Sequence, residues 1–455
     1  MLQEPKQVNM KLAKMLLLLS LISPIVVSLC DAEALRLHAT HADAGRGLSK
    51  RELLHRMASR SKARSARLLS GRAVGARVGP GVYTDGVPDT EYLVHMAIGT
   101  PPQPVQLVLD TGSDLTWTQC WPCMACFRQA LPLFDPSRSL TFAMQPCYLP
   151  TCRDLPWSSC GEQSWGDRIC VYSYSYADKS ITTGHLDSDT FTFASADGAA
   201  GGVSVPDLTF GCGIFNSGVF MSNETGIAGF ARGALSLPSQ LKADNFSYCF
   251  TAITGSEPSP VFLGVPANLY SNATHGDRGV VQSTALIRYR SVQLKAYYIS
   301  LKGITVGTRR LPIPESMFAL KEDGTGGAII DSGTGMTMLP EAVYNLLCDA
   351  FVAQTRLSVH KPTSSSVSQL CFSVPPGVKP DVPALVLHFE GASLDLPREN
   401  YMFEIEEAGG SVTCLAINPG EDLSVIGNFQ QQNLHVLYDL ANNMLSFIPA
   451  QCNKL

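Results

Sequence analysis

The feature that most constrains this chain is a pattern that occurs twice. Gln106-Leu-Val-Leu-Asp110-Thr111-Gly112-Ser113 carries an apolar, β-like run into a tight Asp-Thr-Gly-Ser turn. Ala328-Ile-Ile-Asp331-Ser332-Gly333-Thr334 repeats the arrangement, with its Asp 221 residues later. The glycine in each turn lets backbones approach closely, and the hydroxyl residue after it can hydrogen-bond the Asp. A companion element follows each copy: Ile227-Ala-Gly229 after the first Asp, Val425-Ile-Gly427 after the second. Each companion fits a strand passing close beneath an Asp turn. A single Asp-Thr-Gly is a common turn. Two copies with the same flanks and the same downstream companion indicate a duplicated unit that delivers two carboxylates.

The rest of the chain suits that duplication. At 455 residues it is too long for one ordinary domain and predicts about two to three domains, or two large lobes. Only 16% of residues are charged, against about 25% in a typical globular chain. Low charge with 38 Gly and 29 Pro leans toward an all-β protein with short helices. Residues 297–307 and 384–389 read as strands, and Pro340 and Glu341 open a helix whose buried face runs through Phe351. Charge is divided unevenly. Residues 35–80 carry a net charge of +9 and residues 81–455 a net charge of −14. An acidic body excludes nucleic acid as its partner.

The amino-terminal 80 residues read as processing segments. The apolar run from Met15 to Cys30 follows Lys6, Lys11 and Lys14 and contains Pro24. It is short for a membrane span and suits a signal peptide, residues 1–30, cleaved at about 30–34. The chain ends without a hydrophobic tail, so no membrane anchor is expected after signal removal. Secretion to the extracellular space (apoplast) follows, with the vacuole as an alternative and a chloroplast ranked below both. Residues 31–80 form a basic segment with an amphipathic helical pattern around Leu48–Leu69. It reads as a propeptide that docks by charge on the acidic body and covers a cleft; a disordered tail or a transit peptide are the other readings. Charge-based docking would weaken in acid, which predicts acid-favoured maturation with a boundary near residues 70–90.

Of 14 cysteines, Cys30 leaves with the signal. Cys120-x-x-Cys123-x-x-Cys126 could serve zinc or redox chemistry, but no second Cys/His pair stands at finger spacing and the context is secretory. Disulfides are the better reading, with no metal. The odd thiol is assigned to Cys348, on the predicted helix, as a small core residue. Asn223, Asn245 and Asn272 open glycosylation sequons.

Over residues 91–452 the chain resembles the pepsin-type aspartic proteases, in particular the cysteine-rich, nepenthesin-like plant group. The resemblance is carried by Glu91-Tyr-Leu-Val, Ile98-Gly-Thr-Pro-Pro-Gln103, Asp110-Thr-Gly-Ser-Asp-Leu-Thr-Trp117-Thr-Gln-Cys120 and Phe210-Gly-Cys-Gly213. Further matches are Gly233-Ala-Leu-Ser-Leu-Pro-Ser-Gln-Leu241, Phe246-Ser-Tyr-Cys249 and Asn428-Phe-Gln-Gln-Gln-Asn433. It implies a bilobal all-β fold with pseudo-two-fold symmetry: an N-terminal lobe over 81–265 with a flap and a Cys-rich insertion, and a C-terminal lobe over 266–455. It implies that Asp110 and Asp331 face each other, share a proton and activate a water for peptide hydrolysis. Thr111, Gly112, Ser113, Ser332, Gly333 and Thr334 would support them. No cofactor, metal or covalent intermediate is required. The implied partners are polypeptide substrates and the chain's own propeptide, on a monomer.

The family's flap tyrosine corresponds to Tyr176, followed by Ala177 and Asp178, with the Trp117 indole holding its hydroxyl. Here the usual Tyr-Gly-Asp-Gly has become Tyr176-Ala177-Asp178-Lys179. A Cβ penalises left-handed backbone, so the flap is either reshaped, with Lys179 altering substrate choice, or carries a harmless turn change. Family spacing implies the pairs Cys120–Cys123, Cys126–Cys212, Cys147–Cys170, Cys152–Cys160, Cys249–Cys452 and Cys371–Cys414. The rival reading is a catalytically impaired relative that binds a protein or glycan. A glycosidase would also use two carboxylates but requires no repeated Asp-Thr-Gly turn. Serine-nucleophile and zinc-hydrolase motifs are missing.

Overall fold

The computed structural model describes residues 35–44, 47, 49, 50, 52–54, 57 and 91–455, apart from 163–165, 167, 177, 194–201, 221–222, 256, 265–280, 289–294, 323, 361–368 and 408–409. The signal segment, residues 58–90, Ala177 and Asn272 thus lie outside the described residues. Strands dominate. The first half supplies β1 (Leu35–His41), β2 (Tyr92–Ile98), β3 (Gln103–Asp110), β4 (Trp117–Gln119), β5 (Arg168–Ser175), β6 (Ile181–Phe193), β7 (Val203–Ser217), β8 (Gly226–Gly229), β9 (Asn245–Cys249) and β10 (Ser259–Leu263). The second half supplies β11 (Ala328–Ile330), β12 (Thr337–Pro340), helix α1 (Glu341–Gln354), β13 (Ser424–Ile426), β14 (Leu434–Asp439) and β15 (Met444–Pro449) among shorter strands. The all-β expectation holds. Among the described residues no helix is long and apolar enough to cross a membrane.

The duplicated motif becomes a duplicated structure. In the first half β3 runs parallel to β8, with Asp110 opposite Gly229, and β8 pairs antiparallel with β4. In the second half β11 runs parallel to β13, with Ile330 opposite Ile426, and β13 pairs antiparallel with β12. Each companion strand therefore passes directly beside its Asp strand. Both companions end in glycine because of crowding. A Cβ on Gly229 would lie 2.2 Å from the Asp114 carbonyl oxygen, and one on Gly427 would lie 2.6 Å from the Met336 carbonyl carbon. The amides of these glycines donate to Thr116 Oγ1 at 3.2 Å and Thr337 Oγ1 at 3.1 Å, the same contact in each copy.

The two halves meet in one sheet. Its strand order is Gln282–Ala285, β15, β14, β9, β10, β1, continuing into β2. Rings from both halves stack across it: Phe246 on Tyr438 at 4.4 Å, Tyr248 on Phe250 at 4.2 Å and Phe250 on Tyr92 at 3.9 Å. Aromatic area of this kind supplies much of the burial that holds the halves together.

The basic segment is part of this sheet. β1 pairs on one side with β10 (Leu37 opposite Val261) and on the other with β2 (Thr40 opposite Leu93). Ser49 and Glu52 exchange capping hydrogen bonds at the start of a helical turn, and Leu53, Leu54 and Met57 enter the core. Arg36 donates to the Leu455 oxygen at 2.8 Å and lies 5.7 Å from the Phe262 ring. Of the segment's eleven Lys and Arg, Arg36 and Lys50 lie among the described residues and the other nine lie outside them. Among the described residues one ion pair joins the segment to the body, Lys50–Glu406 at 3.8 Å, and it is exposed. A ladder on two sides and apolar burial hold the described part of the segment; an exposed pair adds little to it.

Helix α1 forms as expected, burying Val343, Tyr344, Leu347, Ala350 and Phe351. Cys348 is a free, half-buried thiol, and burial pushes it up to about 11, away from nucleophilic use. Four of the expected disulfides are wrong. The pairs are Cys120–Cys212, Cys123–Cys126, Cys147–Cys160 and Cys152–Cys170, beside the expected Cys249–Cys452 and Cys371–Cys414. Register and burial decide the difference. Parallel pairing of β4 with β7 sets Cys120 and Cys212 5.4 Å apart between Cα atoms. That leaves Cys123 and Cys126 to close their own loop. Cys160 and Cys170 stand opposite each other on paired strands, so spacing alone cannot assign them. Buried Cys152 joins buried Cys170, and exposed Cys160 joins half-buried Cys147.

Candidate active site

Each Asp turn folds back on its own carboxylate. Asp110 Oδ1 accepts from the Gly112 amide at 2.8 Å, and Oδ2 accepts from Ser113 Oγ at 2.5 Å. Asp331 Oδ1 accepts from the Gly333 amide at 3.0 Å, and Oδ2 accepts from Thr334 Oγ1 at 2.6 Å. The two turns are then cross-bonded. The Thr111 amide donates to Ser332 Oγ at 3.1 Å, and the Ser332 amide donates to Thr111 Oγ1 at 2.9 Å. Ser332 Oγ donates onward to the Leu109 carbonyl at 2.8 Å. Asp110, Thr111, Asp331, Ser332 and Thr334 are all buried. Two carboxylates with equivalent surroundings are thus held at one junction by hydrogen bonds in a site of low exposure, where such bonds are strong. All eight motif residues named from sequence come together here.

A second layer supports the Asp331 turn. Gln431 Nε2 donates to the Ile426 carbonyl at 2.9 Å, its Oε1 accepts from the Tyr248 hydroxyl, and Tyr248 also meets the Tyr438 hydroxyl at 2.9 Å. Asn428 Nδ2 donates to the Ser332 carbonyl at 2.9 Å. Thr337 donates its amide and hydroxyl to Gln430 Oε1, at 2.9 and 2.6 Å. Sequence reading used the Asn428–Asn433 run only as a likeness. Its signal was Gln430-Gln-Gln-Asn433, four amide side chains in a row close behind an apolar strand, which in a buried setting must be a hydrogen-bond network.

The flap is the hairpin of β5 and β6. Tyr176 follows β5 and is buried; the Trp117 indole N–H donates to its hydroxyl oxygen at 2.7 Å, as the likeness implied. Burial first, then neighbouring Tyr174 and Asp110, push the Tyr176 hydroxyl well above its usual range, so it stays neutral. The Tyr176 amide donates to the Ser180 carbonyl at 2.8 Å. Asp178 accepts from the Ser180 amide and hydroxyl, both at 2.8 Å. Lys179, where the family has glycine, sits at φ +75°. Of the described sequons, Asn223 is exposed, while Asn245 is half-buried on β9 with a buried side-chain oxygen.

Known proteins are similar to this chain. Residues 92–265 match the family model described as xylanase inhibitor N-terminal, and residues 296–449 the one described as xylanase inhibitor C-terminal. The chain is 41% identical over 415 residues to aspartic proteinase nepenthesin-1 of Nepenthes gracilis, covering 90% of this chain and 89% of the relative. It is 41% identical over 421 residues to nepenthesin-2 of the same plant, covering 92% and 90%. The crystal structure of conglutin gamma, a basic 7S globulin from lupine seeds, is similar at a TM-score of 0.64 and 17% identity, covering 91% of this chain and 94% of that one. At that identity the likeness shows the fold alone. With a duplicated Asp turn, a tyrosine flap and relatives matched along most of its length, this chain belongs to the plant nepenthesin-like aspartic proteinases, on the pepsin-type fold.

Proposed function

We propose that this aspartic endopeptidase is secreted, is made as a zymogen and works in acid, with Asp110 and Asp331 as its catalytic pair. The observation that carries the reading is the cross-bonded pair of turns. Each outer carboxylate oxygen is occupied by a hydroxyl, leaving the inner oxygens to hold one water. The ionised carboxylate takes a proton from that water as it attacks the peptide carbonyl. The protonated partner donates to the carbonyl oxygen as it becomes tetrahedral. The nitrogen then receives a proton and departs. Tyr176, neutral and held by Trp117, closes the cleft side. Because one carboxyl must carry a proton, acid favours the working state. Six disulfides among the described residues favour an oxidising, secretory compartment. The zymogen reading rests on the basic segment lying inside the sheet that joins the lobes.

A binding role has two observations behind it: the description of the matched family models and the Lys179 substitution at the flap tip. The intact, doubly supported dyad favours hydrolysis. The test is digestion of a denatured protein from about pH 2 to about pH 7, by wild type, Asp110→Asn and Asp331→Asn, each processed past residue 57. Acid-optimal cleavage by wild type alone is expected. Folded, processed wild type that cleaves nothing would overturn the reading.

A further inference from the structure

A cavity of about 400 Å³ opens beside the dyad, and its charge does not match the rest of the body. Asp114, Arg153, Asp154, Tyr174, Arg232 and Lys295 are among the residues that line it. It adjoins the catalytic turn. Asp114 directly follows Ser113, the residue that holds Asp110, and the Ala231 amide donates to the Ser113 carbonyl at 3.0 Å. It also adjoins the flap. The Asp114 amide donates to the Tyr174 hydroxyl at 3.4 Å, and the Tyr174 and Tyr176 rings are 5.1 Å apart. Tyr174 and Tyr176 stand two residues apart on the flap, about 6.6 Å in an extended strand. An extended substrate beneath the flap therefore points a side chain at this cavity two residues from one near Tyr176.

The cavity wall holds three cations, Arg153, Arg232 and Lys295, and two carboxylates, Asp114 and Asp154. Asp114 is already satisfied: its Oδ1 accepts from the Gly233 amide at 2.6 Å, and Lys295 Nζ lies 3.2 Å from its Oδ2. Arg232 is different. Its guanidinium lies 5.3 Å from the Tyr297 ring, its NH2 group reaches Asn443 Oδ1 only at 3.5 Å, and its buried Nε has no hydrogen-bond partner among the described residues. No carboxylate among the described residues pairs with it. Burial disfavours its cationic form, Tyr297 partly offsets this, and Arg288 adds to it. A partly desolvated guanidinium without a counter-ion is costly, and a carboxylate entering the cavity would relieve that cost. In a body of net charge −14 such a pocket is an exception.

We propose that this cavity is a specificity pocket for an acidic side chain of the polypeptide substrate, bound by Arg232 with Arg153 and Lys295 at the rim. The inference rests on the endopeptidase reading above. The test measures kcat and KM on peptides that differ only by Asp or Asn, and Glu or Gln, at each position near the cut. At about pH 5.5 the acidic peptide is expected to be favoured about 10-fold at one position, chiefly through KM. The preference should vanish near pH 3, where the substrate carboxyl is protonated, and Arg232→Gln should reduce it to about 2-fold or less. The wild-type pH dependence supplies the answer if Arg232→Gln does not fold. Cleavage without acidic preference at any position would overturn the pocket and leave the protease standing. So would a preference unchanged in Arg232→Gln or persisting near pH 3. Wild type that cleaves no peptide would overturn both.

Discussion

Asp187 on β6 is fully buried, and neither carboxylate oxygen has a hydrogen-bond partner among the described residues. Burial first, then the charge of Asp189, push its pKa well above the carboxylate range. A raised value in the folded state means the fold favours the protonated form of Asp187. Its contribution is fully present below the unfolded value, about 4, and is lost as pH rises through the folded one. Asp187→Asn is therefore expected to raise Tm at pH 7 by about 2–5 °C and to change it little at pH 4. Equal shifts at both pH values would contradict the assignment. Lys179, at φ +75°, holds a backbone conformation that favours glycine. Lys179→Gly should stabilise the folded enzyme by roughly 0.5–1 kcal/mol in urea unfolding and shift the cleavage-site profile. An unchanged profile would make the flap tip a neutral turn. At this scale the Asp turns were legible, each in a short stretch of sequence, and the Trp117–Tyr176 pair, 59 residues apart, was legible through the family likeness. The Tyr248–Gln431 contact was not, because its partners are 183 residues apart and nothing in either run names the other.

Among elements, the companion strands show why two glycines cannot be replaced. A Cβ at Gly229 would meet backbone, which cannot swing aside as a side chain can. Gly229→Ala is expected to cost about 2–4 kcal/mol in urea unfolding and to lower kcat by displacing Asp110, its partner in the register. A loss under about 0.5 kcal/mol would mean the strand adjusts freely. β1 makes a second case. Removing residues 35–57 would leave β2 and β10 each with an unpaired edge, an aggregation hazard. A chain lacking them should refold with a markedly lower soluble yield than the full chain; equal yields would contradict a structural part for the segment. The alternation Leu35, Leu37, Ala39, His41 was present in the sequence, but the surrounding basic residues masked it. Disulfide partners were misjudged for a related reason. Spacing along the chain does not reveal which cysteines share a face, and strand register does.

Across the whole molecule, one sheet spans both halves and the Cys249–Cys452 bridge closes 203 residues. The repeat predicted two equivalent lobes, and their equivalence extends to matching threonine contacts 221 residues apart. That much was legible because duplication leaves a sequence trace. The sheet joining the halves leaves none: its strands come from 35–41, 245–263, 282–285 and 434–449 and share no motif. Its consequence is mechanical. Packing across the sheet fixes the halves, and the cross-bonded turns fix the two carboxylates within them. The most direct test of that account is kcat/KM for a neutral peptide as a function of pH, in wild type and in Asp331→Asn shown by circular dichroism to be folded. The account predicts a maximum on the acid side of neutrality and a loss of at least about 10³-fold in Asp331→Asn. Activity in Asp331→Asn within about 10-fold of wild type would contradict it.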